Sequence, residues 1–215
     1  QHDAGRLRQL ERRPHGGLAY LRDAAIEAYS KYYTIAWPEE ERSACRPLRR
    51  SALHATLAAA GAVHGVKFGY ERPNYFLRRG EAGPPLETFA RKPYAEVVGR
   101  EHRTIREGVG LIDMASFSKL EMTGPGALRY LQWLAAANVD RPEGAVVYTQ
   151  LLNAKGGIEA DLTIMRPRPD TFYIVTGSGF GVRDGEWIAR HMPGDGSVHL
   201  ADVSSAYGVL NLAGP

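Results

Sequence analysis

Cysteine is nearly absent: Cys45 stands alone in 215 residues. A lone cysteine excludes an intrachain disulfide, and no His/Cys spacing matches a zinc site, so no metal is expected. A reducing compartment follows, cytoplasmic or, in a eukaryote, the mitochondrial matrix. Arg46 follows Cys45 and would favour a thiolate, yet inert packing is the commoner fate of a single cysteine. Long hydrophobic runs are missing too. No stretch approaches the roughly 20 apolar residues of a membrane span, and the opening residues carry no signal-peptide core. Internal repeats and low-complexity tracts are also absent. One segment tempts a nucleotide reading: a strand over 171–176, then Gly177-Ser178-Gly179-Phe180-Gly181, then a helix over 185–191. Its spacing is not G-x-G-x-x-G, the Lys-Ser/Thr of a P-loop is missing, and no acidic residue closes a βαβ unit.

What is there is an ordinary globular composition, 44% hydrophobic and 24% charged, in a length suited to one domain or one and a part. The net charge of +3 comes largely from arginines clustered at Arg6 to Arg13, Arg46 to Arg50 and Arg100 to Arg106. No nucleic-acid module and no basic stripe interleaved with aromatics accompanies them, so solvated helix faces account for the charge. A polyanionic small ligand is compatible with it.

The most informative stretch is 146–164. Val146, Val147, Tyr148 and Thr149 suit a strand, and Asn153-Ala154-Lys155-Gly156-Gly157 is turn chemistry with two glycines free to take positive φ. Beyond the turn Ile158, Ala160, Leu162 and Ile164 alternate with Glu159, Asp161 and Thr163, the pattern of a half-buried strand. Two carboxylates two positions apart therefore share a polar face. Either that face lines a pocket, where repulsion and desolvation raise the pKa of at least one, or it is the wet side of a strand.

Around the hairpin the pattern mixes helices and strands without the βαβ rhythm of a parallel sheet, so the fold class is α+β. A helical pattern covers 17–33. Ser51 suits the N-cap of a short helix over 52–60 that Gly61 ends, and residues 63–68 follow. Gly69-Tyr70-Glu71-Arg72-Pro73-Asn74-Tyr75-Phe76 reads as an aromatic loop, either a packing plug or a cavity wall. Residues 78–91 read as a loop. Pro93 suits the first turn of a helix that carries His102, a residue expected to bond a neighbouring loop. Asp113 and Ser116 suit turns and caps, and 119–123 a strand. Gly124-Pro125 leads to a helix ended by Asn138. Strands over 198–203 and 207–212 finish the pattern.

Leu152-Asn153-Ala154-Lys155-Gly156-Gly157-Ile158-Glu159-Ala160-Asp161-Leu162-Thr163 resembles the folate-site hairpin of the glycine cleavage T-protein (aminomethyltransferase) family. Its Glu159-Ala160-Asp161 version resembles the relatives fused to flavin enzymes, the dimethylglycine and sarcosine dehydrogenases. The segment from Gly69 to Phe76 resembles the Gly-Trp-Glu-Arg-Pro-Asn-Trp-Phe signature of those fused enzymes, with Tyr70 and Tyr75 in place of the tryptophans. Glu101, His102 and Arg106 resemble a Glu-His-x-x-x-Arg helix of the family, and Ile35-Ala36-Trp37-Pro38 with Arg46-Pro47-Leu48-Arg49-Arg50-Ser51 is similar to the end of the preceding domain.

The resemblance implies that residues 1–48 close an FAD-dependent oxidoreductase middle domain and 51–215 form the first part of a folate-binding domain. The chain is thus expected to be a piece of a longer protein. It implies tetrahydrofolate as cofactor, with FAD held only in a preceding part, since no flavin fingerprint is present here. Asp161 is the implied catalytic residue, and Tyr148, Asn153, Glu159, Asp161 and Thr163 the implied cofactor-binding set. The activity implied is passage of a one-carbon unit from an oxidised N-methyl amine to tetrahydrofolate, giving 5,10-methylenetetrahydrofolate. The implied partners are folate, the amine and the rest of the same polypeptide, with neither nucleic acid nor membrane. An aminomethyltransferase-like module used for structure or folate sensing, without catalysis, is the alternative.

Overall fold

In the computed structural model, residues 17–83, 88–90 and 94–215 are described, and they divide between two compact units. One unit holds the chain through Asp113 together with Leu210–Pro215; the other is Met114–Val209. Pro93 and the Arg6 to Arg13 cluster lie outside the described residues.

The first unit opens with α1 (Gly17–Ser30). Its apolar stripe recurs as the spacing predicts, yet Leu18 is 78% and Tyr29 79% exposed, while the buried residue is Glu27. That carboxylate accepts the Ser43 amide at 2.8 Å and the Ala44 amide at 3.1 Å, so a polar clasp holds the helix. The Ser43 amide, against the cost of burial, keeps the Glu27 carboxyl below its ordinary 4.5. The helix stops at Ser30, whose hydroxyl turns back onto the Glu27 carbonyl instead of continuing the pattern. Helix α2 (His54–Ala59) is not capped by Ser51. The Ser51 hydroxyl donates to Asp113 Oδ2 at 2.5 Å, and a side chain engaged there is lost to the helix. Gly61 at φ +96° ends α2 as expected.

Strands β1 (Ala62–Lys67) and β2 (Tyr70–Phe76) pair antiparallel, so the expected aromatic loop is a strand. Pro73 is tolerated because it sits at a register shift, where the ladder does not need its missing N–H. Tyr70 and Tyr75 are buried, and Arg46 grips the buried Glu71 through Nε and Nη2, both at 2.7 Å. Helix α3 (Ala95–Glu107) follows, then β3 (Gly110–Asp113), which pairs with the last strand, β9 (Leu210–Ala213).

The second unit is built on an antiparallel sheet in the order β5-β6-β7-β4-β8. Its strands are β4 (Ser118–Thr123), β5 (Val146–Leu152), β6 (Ile158–Arg168), β7 (Thr171–Thr176) and β8 (His199–Asp202), with α4 (Ala127–Leu134) and α5 (Gly181–Arg190) between them. Alternation puts Leu120, Met122, Leu162, Ile164, Phe172 and Ile174 on one face, in a core with Leu131 and Leu134 of α4 and Ile188 of α5. Each such side chain contributes about 1.5–3 kcal/mol when fully buried. Helix α4 ends at Leu134, before the expected Asn138. Ala135 turns extended and bridges Leu151, and Ala136 N–H donates to the Gln150 carbonyl at 2.9 Å; the sheet edge captures the chain. The expected strand from Tyr207 begins only at Leu210. Tyr207 instead meets Tyr173 edge-on at 5.8 Å and its carbonyl accepts the buried Lys119 Nζ at 3.0 Å. Mixed helix and antiparallel sheet in both units is the α+β class expected.

Candidate functional site

Asn153 builds the turn of the β5–β6 hairpin. Its Oδ1 accepts the Lys155 and Gly157 amides at 2.9 and 3.0 Å, and Gly156 takes φ +78°, which a side chain would resist. The register then sets the faces. Tyr148 lies opposite Thr163 and Gln150 opposite Asp161, but Leu151 pairs Ala160 while Leu152 pairs Ile158. Glu159 is thus the extra residue of a β-bulge, without a partner across the hairpin. The bulge also explains one departure from the expected alternation. Ile158, assigned inward with Ala160, Leu162 and Ile164, is 69% exposed and joins the outer face.

Asp161 stands on that outer face, exposed, and Oδ2 accepts the Tyr148 hydroxyl at 2.9 Å. The facing carboxylate holds the Tyr148 phenol above its ordinary 10.0, so Tyr148 stays a donor at neutral pH. Among the described residues Asp161 Oδ1 accepts no hydrogen bond. Val146, Tyr148, Leu152 and Ile158 are all exposed around it, which makes an apolar rim about a single tyrosine-held carboxylate. Thr163, half-buried, lies beside them.

Glu159 is committed elsewhere. Oε1 accepts Asn153 Nδ2 at 2.8 Å, and Oε2 meets Arg183 Nη2 of α5 at 2.5 Å. The two hairpin carboxylates therefore each have a partner of their own. The carboxyl that burial pushes up, above its ordinary 3.8, is Asp184 in the first turn of α5, only 1% exposed. The Thr176 hydroxyl donates to it at 2.5 Å and Arg183 Nη1 lies 3.4 Å away, both opposing the rise, while the Asp161 charge adds to it. Arg183 and Asp184 escaped the sequence reading. Their signal was available: Asp184 shares a helix face with Ile188 four residues on, an acid on an apolar stripe. An open cavity of about 490 Å³ runs along this helix, lined by Glu159, Arg183, Trp187 and Arg190 among others.

Other singled-out residues fall in the first unit. The segment from Gly69 to Phe76 serves both expected uses, since Tyr70 and Tyr75 are buried while Arg72, Asn74 and Tyr75 line a cavity of about 740 Å³. The His102 side chain is exposed and makes no hydrogen bond among the described residues; Glu101 is the helix residue whose side chain bonds a neighbour, accepting the Phe76 amide at 2.6 Å. Ser116 of the second unit accepts the Ser178 hydroxyl at 3.2 Å. Among the described residues no cluster of three or more His, Cys, Asp or Glu suits a metal ion, and no helix is long and apolar enough to cross a membrane.

Three kinds of comparison bear on this geometry. Residues 53–215 match the GCVT N-terminal domain, and residues 12–51 match the FAD dependent oxidoreductase central domain. Similar curated proteins include the mitochondrial pyruvate dehydrogenase phosphatase regulatory subunit of Mus musculus, 35% identical over 91% of this chain and 23% of that protein. The formaldehyde-forming 4-methylaminobutanoate oxidase of Paenarthrobacter nicotinovorans is 34% identical over 91% of this chain and 24% of its own length. Human mitochondrial sarcosine dehydrogenase is 30% identical over 91% and 26%. The chain thus spans about a quarter of the length of these relatives. Among solved structures, aminomethyltransferase T of the glycine cleavage system from Bartonella henselae superposes with a TM-score of 0.62, at 23% identity, over 78% of this chain and 41% of that one. That likeness carries the fold. With three quarters of its length matched, the chain belongs to the GCVT N-terminal domain family, preceded by a tail of the FAD dependent oxidoreductase central domain.

Proposed function

We propose that this chain is the folate-binding, one-carbon-transfer portion of an N-methyl amine dehydrogenase of the dimethylglycine or sarcosine type. The observation that carries the reading is the Tyr148–Asp161 pair, a carboxylate oriented by a phenol inside an exposed apolar rim. Family membership and relatives named as sarcosine dehydrogenase and 4-methylaminobutanoate oxidase support it.

The residues present fit a reduced pterin. A flat ring bearing N–H donors needs apolar cover and a hydrogen-bond acceptor, and the outer hairpin face offers both. When bound, tetrahydrofolate supplies the nitrogens that take up the one-carbon unit. Asp161 Oδ1 accepts a hydrogen bond from the attacking nitrogen and holds the proton that leaves it, the work of a general base. Tyr148 fixes the Asp161 carboxylate through Oδ2, and its ring covers one side. Thr163 completes the polar edge, and Asn153 with Glu159 shapes the rim. Residues 1–48 close the flavin enzyme's middle domain and 51–215 open the folate domain; FAD is bound in a preceding part of such an enzyme. The compartment is the cytoplasm, or the mitochondrial matrix in a eukaryote, as the names of mammalian relatives suggest.

Asp161→Asn tests the role. Folding and tetrahydrofolate affinity stay near wild type, while methylene transfer, assayed in the full-length enzyme, falls about 10²–10⁴-fold, the usual worth of a positioned base. Undiminished transfer sinks it. A second reading has one observation in its favour: a relative at 35% identity is named as a regulatory subunit. On that reading the domain is a non-catalytic structural or folate-sensing module, and the full-length protein binds tetrahydrofolate without turnover.

A further inference from the structure

Among the described residues, Arg183 is the cation of α5 that bonds the hairpin, and it does so at the bulge. The bulge leaves the Glu159 carbonyl outside the β5–β6 pairing, and Arg183 Nη1 donates to that oxygen. Nη2 of the same guanidinium holds Glu159 Oε2 at 2.5 Å. From Glu159 the path continues through Asn153 Nδ2 at 2.8 Å to the Lys155 and Gly157 amides of the turn. Behind Arg183, Asp184 is buried against Thr176, a residue 2% exposed at the end of β7. One polar chain thus runs from the core of the sheet to the tip of the hairpin.

We propose that Arg183 is a positioning residue for the Asp161 site, a two-pronged latch that holds the Glu159 bulge and so keeps Asp161 on the outer face beside Tyr148. The physical reason is the period of a strand. Collapse of the bulge slides β6 by one residue against β5, and a one-residue slip turns every side chain of a strand to the opposite face. Asp161 would then exchange its place opposite Gln150 for one toward the apolar core. Glu159, on this inference, serves by being held and not by touching ligand. The fork matters, because the guanidinium holds two parallel donors about one plane, one for the carbonyl and one for the carboxylate, whereas the donors of a lysine ammonium diverge from a single nitrogen at the end of a flexible stem.

This inference rests on Asp161 as the working carboxylate, and its test needs no folate. The Tyr148 phenol titrates high because Asp161 faces it, so its midpoint reports whether the two remain together. In the 215-residue chain, Tyr148 carrying a 13C label at Cζ is titrated by NMR, with Asp161→Asn defining the signal when the acceptor charge is gone. Arg183→Met and Arg183→Lys both move the Tyr148 midpoint most of the way to the Asp161→Asn value. The Gly157, Ile158, Leu162 and Ile164 amides exchange at least tenfold faster, because the slip moves the whole of β6, and those of Leu120 and Met122 on β4, which pairs with neither β5 nor β6, stay unchanged. A Tyr148 midpoint unaltered in Arg183→Met overturns the latch. So does an Arg183→Lys chain that behaves as wild type, since charge without the fork would then suffice. Failure of the folate reading looks different: Arg183→Met releases Tyr148 as expected, while Asp161→Asn leaves methylene transfer intact.

Discussion

The two units are stabilised by different means. Among the described residues, the apolar side chains buried in the first unit are Tyr70, Tyr75 and Val97, whereas the second packs a continuous core from Leu120 through Phe172 and Ile174 to Val198. The first relies on buried carboxylates with good partners: Glu27 on two amides, and Glu71 in the fork of Arg46, which also donates to the His64 carbonyl at 2.8 Å. The second unit has a buried carboxylate as well, Asp184, but pairs it with one hydroxyl and a distant guanidinium. The same chemical group therefore works in opposite senses. In the first unit, among the described residues, held carboxylates stand where few apolar side chains are buried. In the second, the apolar core is large enough to tolerate a carboxylate that costs stability, near the place where a site is proposed.

The largest expected effect breaks the second unit. Phe172 is wholly buried, and Phe172→Ala should cost about 3–5 kcal/mol through lost transfer energy and the cavity left behind. The three tryptophans separate the readouts, because Trp37 belongs to the first unit and Trp133 and Trp187 to the second. In single-tryptophan variants unfolded with urea, the midpoint followed through Trp133 or Trp187 falls. A midpoint there that does not move would mean that the core does not carry this unit.

Glu71→Gln is the corresponding break in the first unit. Removing one partner of a buried ion pair leaves the other uncompensated, which costs about 3–5 kcal/mol when burial is complete. The Arg46 side chain is 25% exposed, so about 2–3 kcal/mol is the expectation here, after water has relieved part of the orphaned charge. Urea unfolding followed through Trp37 checks it. Equal stability of the variant would shift the weight of this unit onto its few apolar contacts.

What could be read beforehand follows the same division. Elements whose register is set by an apolar face were legible: the β5–β6 hairpin, its Asn153 to Gly157 turn, strands β4 and β7 and the start of α4 all stand near where alternation and turn chemistry put them. Elements decided by polar partners were not. Ser51 has the right type for a cap but is drawn to Asp113, 62 positions away, and no local pattern signals that. The segment from Gly69 to Phe76 carries glycine and proline and read as a loop, yet the grip of Arg46 on Glu71 helps to hold it as a strand. The candidate site shows both behaviours. Asp161 and Thr163 fall on one face because a period of two requires it, while the meeting with Tyr148 depends on register and the Arg183–Glu159 contact on a bulge and a helix 24 residues on. Long-range polar pairing has no period, and sequence patterns expose only periods.

The smallest effect separates the two buried carboxylates by pH. Arg46 holds the Glu71 carboxyl below its ordinary 4.5, so the unfolded chain takes up the proton first as pH falls. The stability that Glu71 contributes is present above about pH 4.5 and is lost on acidification. Burial moves Asp184 the other way, above 3.8, so there the folded chain takes up the proton first, and the cost of the ionised group is felt above that range and relieved on acidification. Asp184→Asn keeps an oxygen for the Thr176 hydroxyl and removes the charge. It should leave the second unit as stable as wild type or more stable by up to about 1 kcal/mol at pH 7, after subtracting the weakened Arg183 contact. Near pH 3, where wild-type Asp184 is itself protonated, the gain disappears. Thermal unfolding at the two pH values, read through Trp133 and Trp187, decides the matter. A variant destabilised at pH 7 but not at pH 3 would show that Asp184 is held as firmly as Glu71, and that the contrast between the units lies in their apolar cores alone.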